Sequence, residues 1–213
     1  MIDVLDYGLG NIKSIIRMLQ KAGAPAKSIS TPDEVHRSTK MILPGVGHFD
    51  SGMAHIKKCG LQAPLRIKVM EEKIPILGIC LGMQLLMSES SEFGCQEGLG
   101  IIKGRVIKFD NPTDDDGKTL KVPHIGWNRV CKPHDEGWAD TLLKGLDNNE
   151  FMYFIHSFYV KPDDPDVVLS VSRHGNAEFC SSLHSKNIFA CQFHPERSGK
   201  EGLKIYRNLL KMI

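Results

Sequence analysis

The sequence predicts an α/β fold: a mostly parallel central sheet with helices on both faces, plus additional antiparallel β elements in the second half. Three observations carry this. Short, largely apolar runs at Ile2–Leu5, Met41–Leu43 and Ile74–Ile79 lack the polar alternation of half-exposed strands, so they read as strands buried on both faces. Each leads through or past glycine into apolar residues at helical spacing, the strand–turn–helix order that parallel pairing requires. After Gly94 the texture changes to strand-like runs separated by Asp, Asn, Pro and Gly.

The elements follow in order. Ile2–Leu5 is a strand, Tyr7-Gly8-Leu9-Gly10-Asn11 a turn, and Ile12, Ile15, Ile16 and Leu19 one face of a helix. Met41–Leu43 ends in Pro44-Gly45-Val46-Gly47, with helical segments around 51–59 and 62–72. Ile74–Ile79 runs into a helical stretch from Leu81 to Met87. Ile101-Ile102, Val106-Ile107, Met152 to Val160, Val167 to Val171 and Ile188 to Phe193 are strand-like, and Asp114 to Gly117 is an exposed loop. Glu201 to Ile213, with Leu203, Tyr206, Leu209 and Leu210, forms an amphipathic closing helix. With no repeat, linker or low-complexity tract, residues 1–213 read as a single domain.

Composition excludes several classes. Twenty-seven basic and twenty-five acidic residues leave +2, without the basic field that a nucleic-acid partner requires. No apolar run approaches about 18 residues, and the start MIDVLDYG has no basic leader, so no membrane association is expected and the chain reads as cytoplasmic. The six cysteines have no zinc-knuckle spacing, and their wide intervals suit reduced thiols, so no metal or other cofactor is expected. Gly8-x-Gly10 lacks the third glycine of a dinucleotide fingerprint, because position 13 is Lys.

One cysteine stands apart. Gly78-Ile79-Cys80-Leu81-Gly82 puts it at a strand-to-helix junction, where a sharp turn exposes the side chain and small neighbours relieve crowding. The sulfur then meets the partial positive charge of a helix N-terminus, which favours thiolate, and the Leu81 N–H points toward any oxyanion formed there. A lone glycine-flanked cysteine is equally well a small apolar core residue. A base decides between these readings. His194 ends the run Ile188 to Phe193, and Glu196 lies two residues on, on the same side of an extended chain, able to orient the imidazole. Cys80, His194 and Glu196 make a coherent nucleophile, base and orienter.

With GICLGMQLL, PGVGHFDSGM and QFHPE in this order, the sequence resembles the class I, triad-type glutamine amidotransferases, whose domain has a flavodoxin-like fold. YGLGN, VPHIGWN at 122–128, MYFIHSFY at 152–159 and HPERSG at 194–199 bring it nearest the branch that serves imidazole glycerol phosphate synthesis. The resemblance implies that Cys80 attacks the side-chain amide of glutamine, releases ammonia and leaves a thioester that water hydrolyses. It implies an oxyanion hole from the Leu81 N–H and the Val46–Gly47 loop, and glutamine contacts from Gln84, Glu92 and Ser157. Read alone, Glu92 is an exposed helix-end carboxylate, PGVG a post-strand turn, and His156 a packed strand residue. Ammonia freed into water is mostly protonated, and 213 residues leave no room for an acceptor domain, so a synthase subunit is implied as partner. The resemblance makes it a (β/α)₈-barrel cyclase of histidine biosynthesis, met by Asn11, Pro123, His124, Trp127 and Asn128; read alone, Trp127 is a packed tryptophan. Arg197 stands where many members carry lysine. The EFG at 92–94 and SG at 198–199 also match subunits serving surface-sugar amidotransferases, and a partner-independent γ-glutamyl hydrolase is a further alternative.

Overall fold

The computed structural model describes residues 1–133 and 137–211. Strand β1 (Ile2–Leu5) is wholly buried, and helix α1 (Ile12–Lys21) turns Ile15 and Leu19 inward. Two elements follow that apolar patterning does not reveal, β2 (Ala26–Ile29) and α2 (Pro32–Arg37). Strand β2 exposes Lys27 and Ser28, as an edge strand does. Helix α2 begins with a reciprocal capping box, Thr31 Oγ1 accepting from the Glu34 N–H while the Glu34 carboxylate accepts from the Thr31 N–H. Strand β3 (Met41–Leu43), α3 (Phe49–Lys58) and α4 (Gln62–Arg66) come next, α4 running on through one π-helical turn at 67–71. Strand β4 (Ile76–Ile79) enters α5 (Leu81–Leu85), which is shorter than expected because Met87 already opens β5 (Met87–Ser90).

The second half adds β6 (Gln96–Glu97), β7 (Ile102–Lys108), β8 (His124–Val130), β9 (Glu150–His156) and β10 (Phe158–Pro162). The run expected as one strand from Met152 to Val160 is thus two, broken at Ser157, whose carbonyl accepts from the Phe109 N–H at 3.1 Å. Strands β11 (Val168–His174), β12 (Ala177–Ser185) and β13 (Ile188–Cys191) and helix α6 (Gly199–Lys211) complete the chain; 212 and 213, placed in that helix by sequence, lie outside the described residues.

Seven strands form the main sheet in the order β11-β12-β13-β4-β3-β1-β2. Neighbours from β2 to β13 are parallel, and β12 and β11 close the edge antiparallel. Alternation along the strands feeds two cores: Met41, Leu43, Ile76, Ile188 and Ala190 pack toward α3, α4 and α5, while Ile42, Leu77, Phe189 and Cys191 pack toward α1 and α6. Strand β12 escapes patterning because it buries serines: Ser170 Oγ of β11 pairs with Ser181 and Ser182 Oγ at 2.9 and 2.5 Å, satisfying their hydroxyls internally. Two smaller sheets, β10-β7-β5-β6 and the antiparallel hairpin β8-β9, stand beside the main one. No described helix is long and apolar enough to cross a membrane.

Candidate active site

Strand β4 delivers the chain to Cys80 and α5 carries it away. At the junction Cys80 has φ 53° and ψ −111°, a conformation that costs a non-glycine residue about 1–3 kcal/mol unless its surroundings enforce it. They do so from both sides. The Cys80 N–H donates to the Cys191 carbonyl of β13 at 2.8 Å, and its own carbonyl accepts from the N–H groups of Met83 and Gln84 at 3.0 and 3.2 Å. The flanking glycines divide: a Cβ on Gly78 would lie 3.1 Å from the Gly82 carbonyl oxygen and from Met83 Cα, the crowding expected at the turn, whereas Gly82 has a different role. A Cβ on Gly82 would lie 1.8 Å from the Leu43 carbonyl oxygen, so it permits β3 to approach the first turn of α5 and does not relieve Cys80 itself.

His194 lies just beyond β13, and its N–H donates to the Tyr153 carbonyl of β9 at 2.9 Å. Its Nδ1 is 2.8 Å from Glu196 Oε1, with the two side chains 3% and 1% exposed. The pair forms through a 3₁₀ turn over 195–197, not through the extended chain that the sequence suggests. A carboxylate accepts, so Nδ1 carries the hydrogen and Nε2 is left for chemistry. Burial pushes the His194 pKa down, but Cys80, through the charge of its thiolate and a side-chain hydrogen bond, and then Glu196, through its hydrogen bond and charge, outweigh it and raise it from 6.5 to about 10. Among the described residues Nε2 meets no partner in good hydrogen-bond geometry, so at rest its link to the sulfur is a loose one. The sulfur instead faces the Ile155 carbonyl at 3.8 Å and receives the Gln192 Nε2–H group at 3.5 Å.

These groups open into a cavity of about 300 Å³ that also takes in Val46, Gln84, Glu92 and Ser157. Glu92 is not the exposed helix-end carboxylate of the sequence reading. It follows β5, is 6% exposed, and accepts from the Phe49 N–H at 2.7 Å and pairs with His48 Nδ1 at 2.8 Å. The hydrogen bond to Glu92 and the charge of that carboxylate raise the His48 pKa. Gln84 Nε2 donates to the Phe158 carbonyl at 2.9 Å and Gln192 Oε1 at 3.0 Å, so only its Oε1 remains to meet a ligand. Leu81 begins α5 at the cavity wall, opposite the loop of Val46 and Gly47. In that loop Gly47 needs its freedom for φ 102°, with open space around it, whereas Gly45 is hemmed in: a Cβ there would meet Tyr7 Oη at 2.6 Å. No group of three or more potential metal ligands occurs among the described residues.

The residues expected to face a partner divide. Asn11 and Pro123 are exposed at the cavity rim. Trp127, which patterning alone reads as packed, is 56% exposed, and Asn128 is half-buried, donating to the Arg173 carbonyl at 2.7 Å. His124 is a correction: at 6% exposure it lies beneath the hairpin, its Nδ1 3.1 Å from His156 Nε2, so it does not itself present a contact surface. Two-residue periodicity is the cause, since Ile125 and Trp127 point outward and their neighbour must point in. Arg197, also at the rim, stacks its guanidinium 4.3 Å from the Tyr153 ring centre. Sequence reasoning missed Gln192, although its spacing of two from His194 in an extended run could have pointed to it.

A strained cysteine elbow on a parallel sheet, with a carboxylate-held imidazole beside it, defines a thiol-dependent amidase or acyl-transfer enzyme. The chain belongs to the class I glutamine amidotransferase family, whose model matches residues 3–212. It is 41% identical over 208 residues to the imidazole glycerol phosphate synthase subunit HisH of Syntrophotalea carbinolica, covering 98% of each chain. It is 43% identical over 211 residues to HisH 2 of Methanococcus maripaludis, with 99% of each covered, and 38% identical to HisH 2 of Pseudomonas aeruginosa over the whole of both chains. Among solved structures, a glutamine amidotransferase matches with TM-score 0.73 at 20% identity, covering 99% of this chain and 97% of that one. PurLQS of Thermotoga maritima matches with TM-score 0.68 at 18% identity, again over 99% and 97%. These two share the fold.

Proposed function

We propose that this chain is the glutaminase subunit of an imidazole glycerol phosphate synthase, hydrolysing glutamine and passing ammonia to a (β/α)₈-barrel cyclase subunit in histidine biosynthesis. The single observation that carries it is full-length similarity to HisH proteins combined with Cys80, His194 and Glu196 gathered at one cavity. In this reading the Cys80 sulfur attacks the amide carbon of glutamine, and His194 holds the proton given up by the thiol. The first tetrahedral oxyanion is met by the Leu81 N–H and a backbone donor of the Val46–Gly47 loop. Each such donor lowers the barrier by about 2.7–4 kcal/mol. His194 gives its proton to the leaving nitrogen, ammonia departs, and the γ-glutamyl thioester remains. Water then adds with His194 as base, and C–S cleavage returns the thiol and frees glutamate. Glu92, with Ser157 and Gln84 Oε1, supplies the acceptors that the α-ammonium group of an amino acid requires.

The outer face of β8–β9 supports a partner. Ile125, Trp127, Phe151 and Ile155, 57, 56, 44 and 38% exposed, form an apolar surface continuous with the cavity rim at Ile155. The test is to copurify the chain with its binding proteins and assay glutamate formation with and without the cyclase. Cys80→Ala should abolish glutamine-dependent imidazole glycerol phosphate formation while synthesis from added ammonium salts persists. Loss of both would refute the assignment of Cys80 to glutamine cleavage, and recovery of a sugar amidotransferase instead would refute the partner.

A further inference from the structure

Gln192 is fully buried, belongs to no step described above, and places its side-chain nitrogen 3.5 Å from the Cys80 sulfur. Its orientation follows from a chain of chemical necessity. The Phe158 carbonyl can only accept, so the Gln84 atom 2.9 Å away is its NH₂ group. That same NH₂ lies 3.0 Å from Gln192, which must therefore present its oxygen there and its own NH₂ to the sulfur. The reverse orientation would set two NH₂ groups against each other and a carbonyl oxygen against the sulfur. The backbone is equally fixed, the Gln192 N–H donating to the Ser181 carbonyl of β12 at 2.9 Å. Gln192 is also absent from the cavity lining, where Gln84 is present.

We propose that Gln192 is a further catalytic residue: it donates a hydrogen bond to the Cys80 sulfur, favours the thiolate over the thiol, and is oriented for this by Gln84 and the Phe158 carbonyl. An N–H donor to sulfur is worth more to S⁻ than to SH, and because Gln192 is itself fully buried, water does not compete for its amide. The geometry adds a reason. His194 belongs to the cavity lining and Gln192 does not, so the Gln192 amide, 3.5 Å from the sulfur, acts on it from within the protein and leaves the cavity side to His194. The titratable groups around that sulfur are His194 from the turn after β13, Tyr7 from the turn after β1, and Cys191 at the end of β13. Substituting Gln192 leaves all three in place.

The experiment uses the full chain. Iodoacetamide alkylation of Cys80, located by mass spectrometry, is followed as a function of pH for the unaltered protein, Gln192→Glu and Gln192→Met. Both variants are expected to require a higher pH for half-maximal alkylation and to react about tenfold more slowly at pH 7, the loss of one hydrogen bond to a charged group. Gln192→Glu should show the larger effect, because it replaces the donor with a second negative charge. With the cyclase present, kcat for glutamine should fall in parallel while KM stays constant. Profiles that superimpose on that of the unaltered chain would overturn the proposal, as would a change confined to KM. A merely structural role would lower the melting temperature without moving the alkylation midpoint. Met, close to Gln in volume, keeps the test decisive if the carboxylate variant does not fold. The kinetic arm rests on the glutaminase reading, but alkylation does not, so a chain inactive on glutamine refutes that reading and leaves this one standing or falling on the pH profile.

Discussion

At the scale of single residues, the site depends on which atoms carry protons. Glu196 fixes hydrogen on Nδ1 of His194 because a carboxylate only accepts, and its charge helps to hold the imidazolium. Glu196→Gln keeps the shape, but an amide NH₂ turned toward Nδ1 would move the ring hydrogen to Nε2, where it faces the sulfur. Glutamine hydrolysis should then fall on the order of 10³–10⁴-fold in kcat. The His194 pKa should drop from about 10, which a histidine NMR titration of the variant would register. Cys80, His194 and Glu196 were legible as candidates because each stands in a local pattern with its own chemistry: glycine–x–Cys–x–glycine after a buried strand, and His-Pro-Glu at the end of another. Gln192 was not, since a glutamine in an apolar run looks like an ordinary strand residue until its neighbours are known.

At the scale of elements, the hairpin β8–β9 joins Cys80 to the surface, the sulfur facing the Ile155 carbonyl. Beneath it His156 Nδ1 donates to the Phe158 carbonyl at 2.9 Å, leaving Nε2 to accept from His124 Nδ1, a chain in which both rings are neutral. Burial, the leading cause for each, pushes the pKa of His156 down to about 3 and that of His124 down to about 4. Unfolded, both rings take up protons near pH 6.5. Between that pH and the folded values the unfolded chain binds more protons, so stability rises with pH and is lost as the pH falls. For His156 the slope approaches about 1.4 kcal/mol per pH unit. Urea unfolding at pH 7 and pH 5 should show the loss, and His156→Gln, uncharged at both, should flatten it. Secondary structure was read well where burial is apolar, as in β1, β3, β4 and α1. It was missed where the pattern is masked, by exposed Lys27 and Ser28 in edge strand β2 and by mutually bonded serines in β12.

At the scale of the whole molecule, the site is assembled from both ends of the chain by parallel pairing. Strand β13 lies beside β4 with Cys191 opposite Ile79, so residues 114 positions apart, Cys80 and His194, both line one cavity. The hairpin carries an exposed tryptophan, Trp127, next to that cavity, while the other of the chain's two tryptophans, Trp138, is 4% exposed. Adding the cyclase subunit should therefore shift tryptophan emission to shorter wavelength, and Trp127→Phe should remove the shift and weaken association by about tenfold or more, as loss of an aromatic anchor does. An unchanged spectrum on complex formation would place the contact elsewhere. By itself the sequence determined the fold class, the strained elbow, the His194–Glu196 pairing and the family, because buried strands, sharp turns and short motifs are encoded by neighbours a few residues apart. Only the tertiary structure decided that Glu92 is sheltered by α3, that His124 turns inward while Trp127 turns out, and that an amide buried between β4 and β12 reaches the sulfur. Those outcomes depend on which strand lies beside which and in what register, a property of packing between distant segments that no local pattern contains.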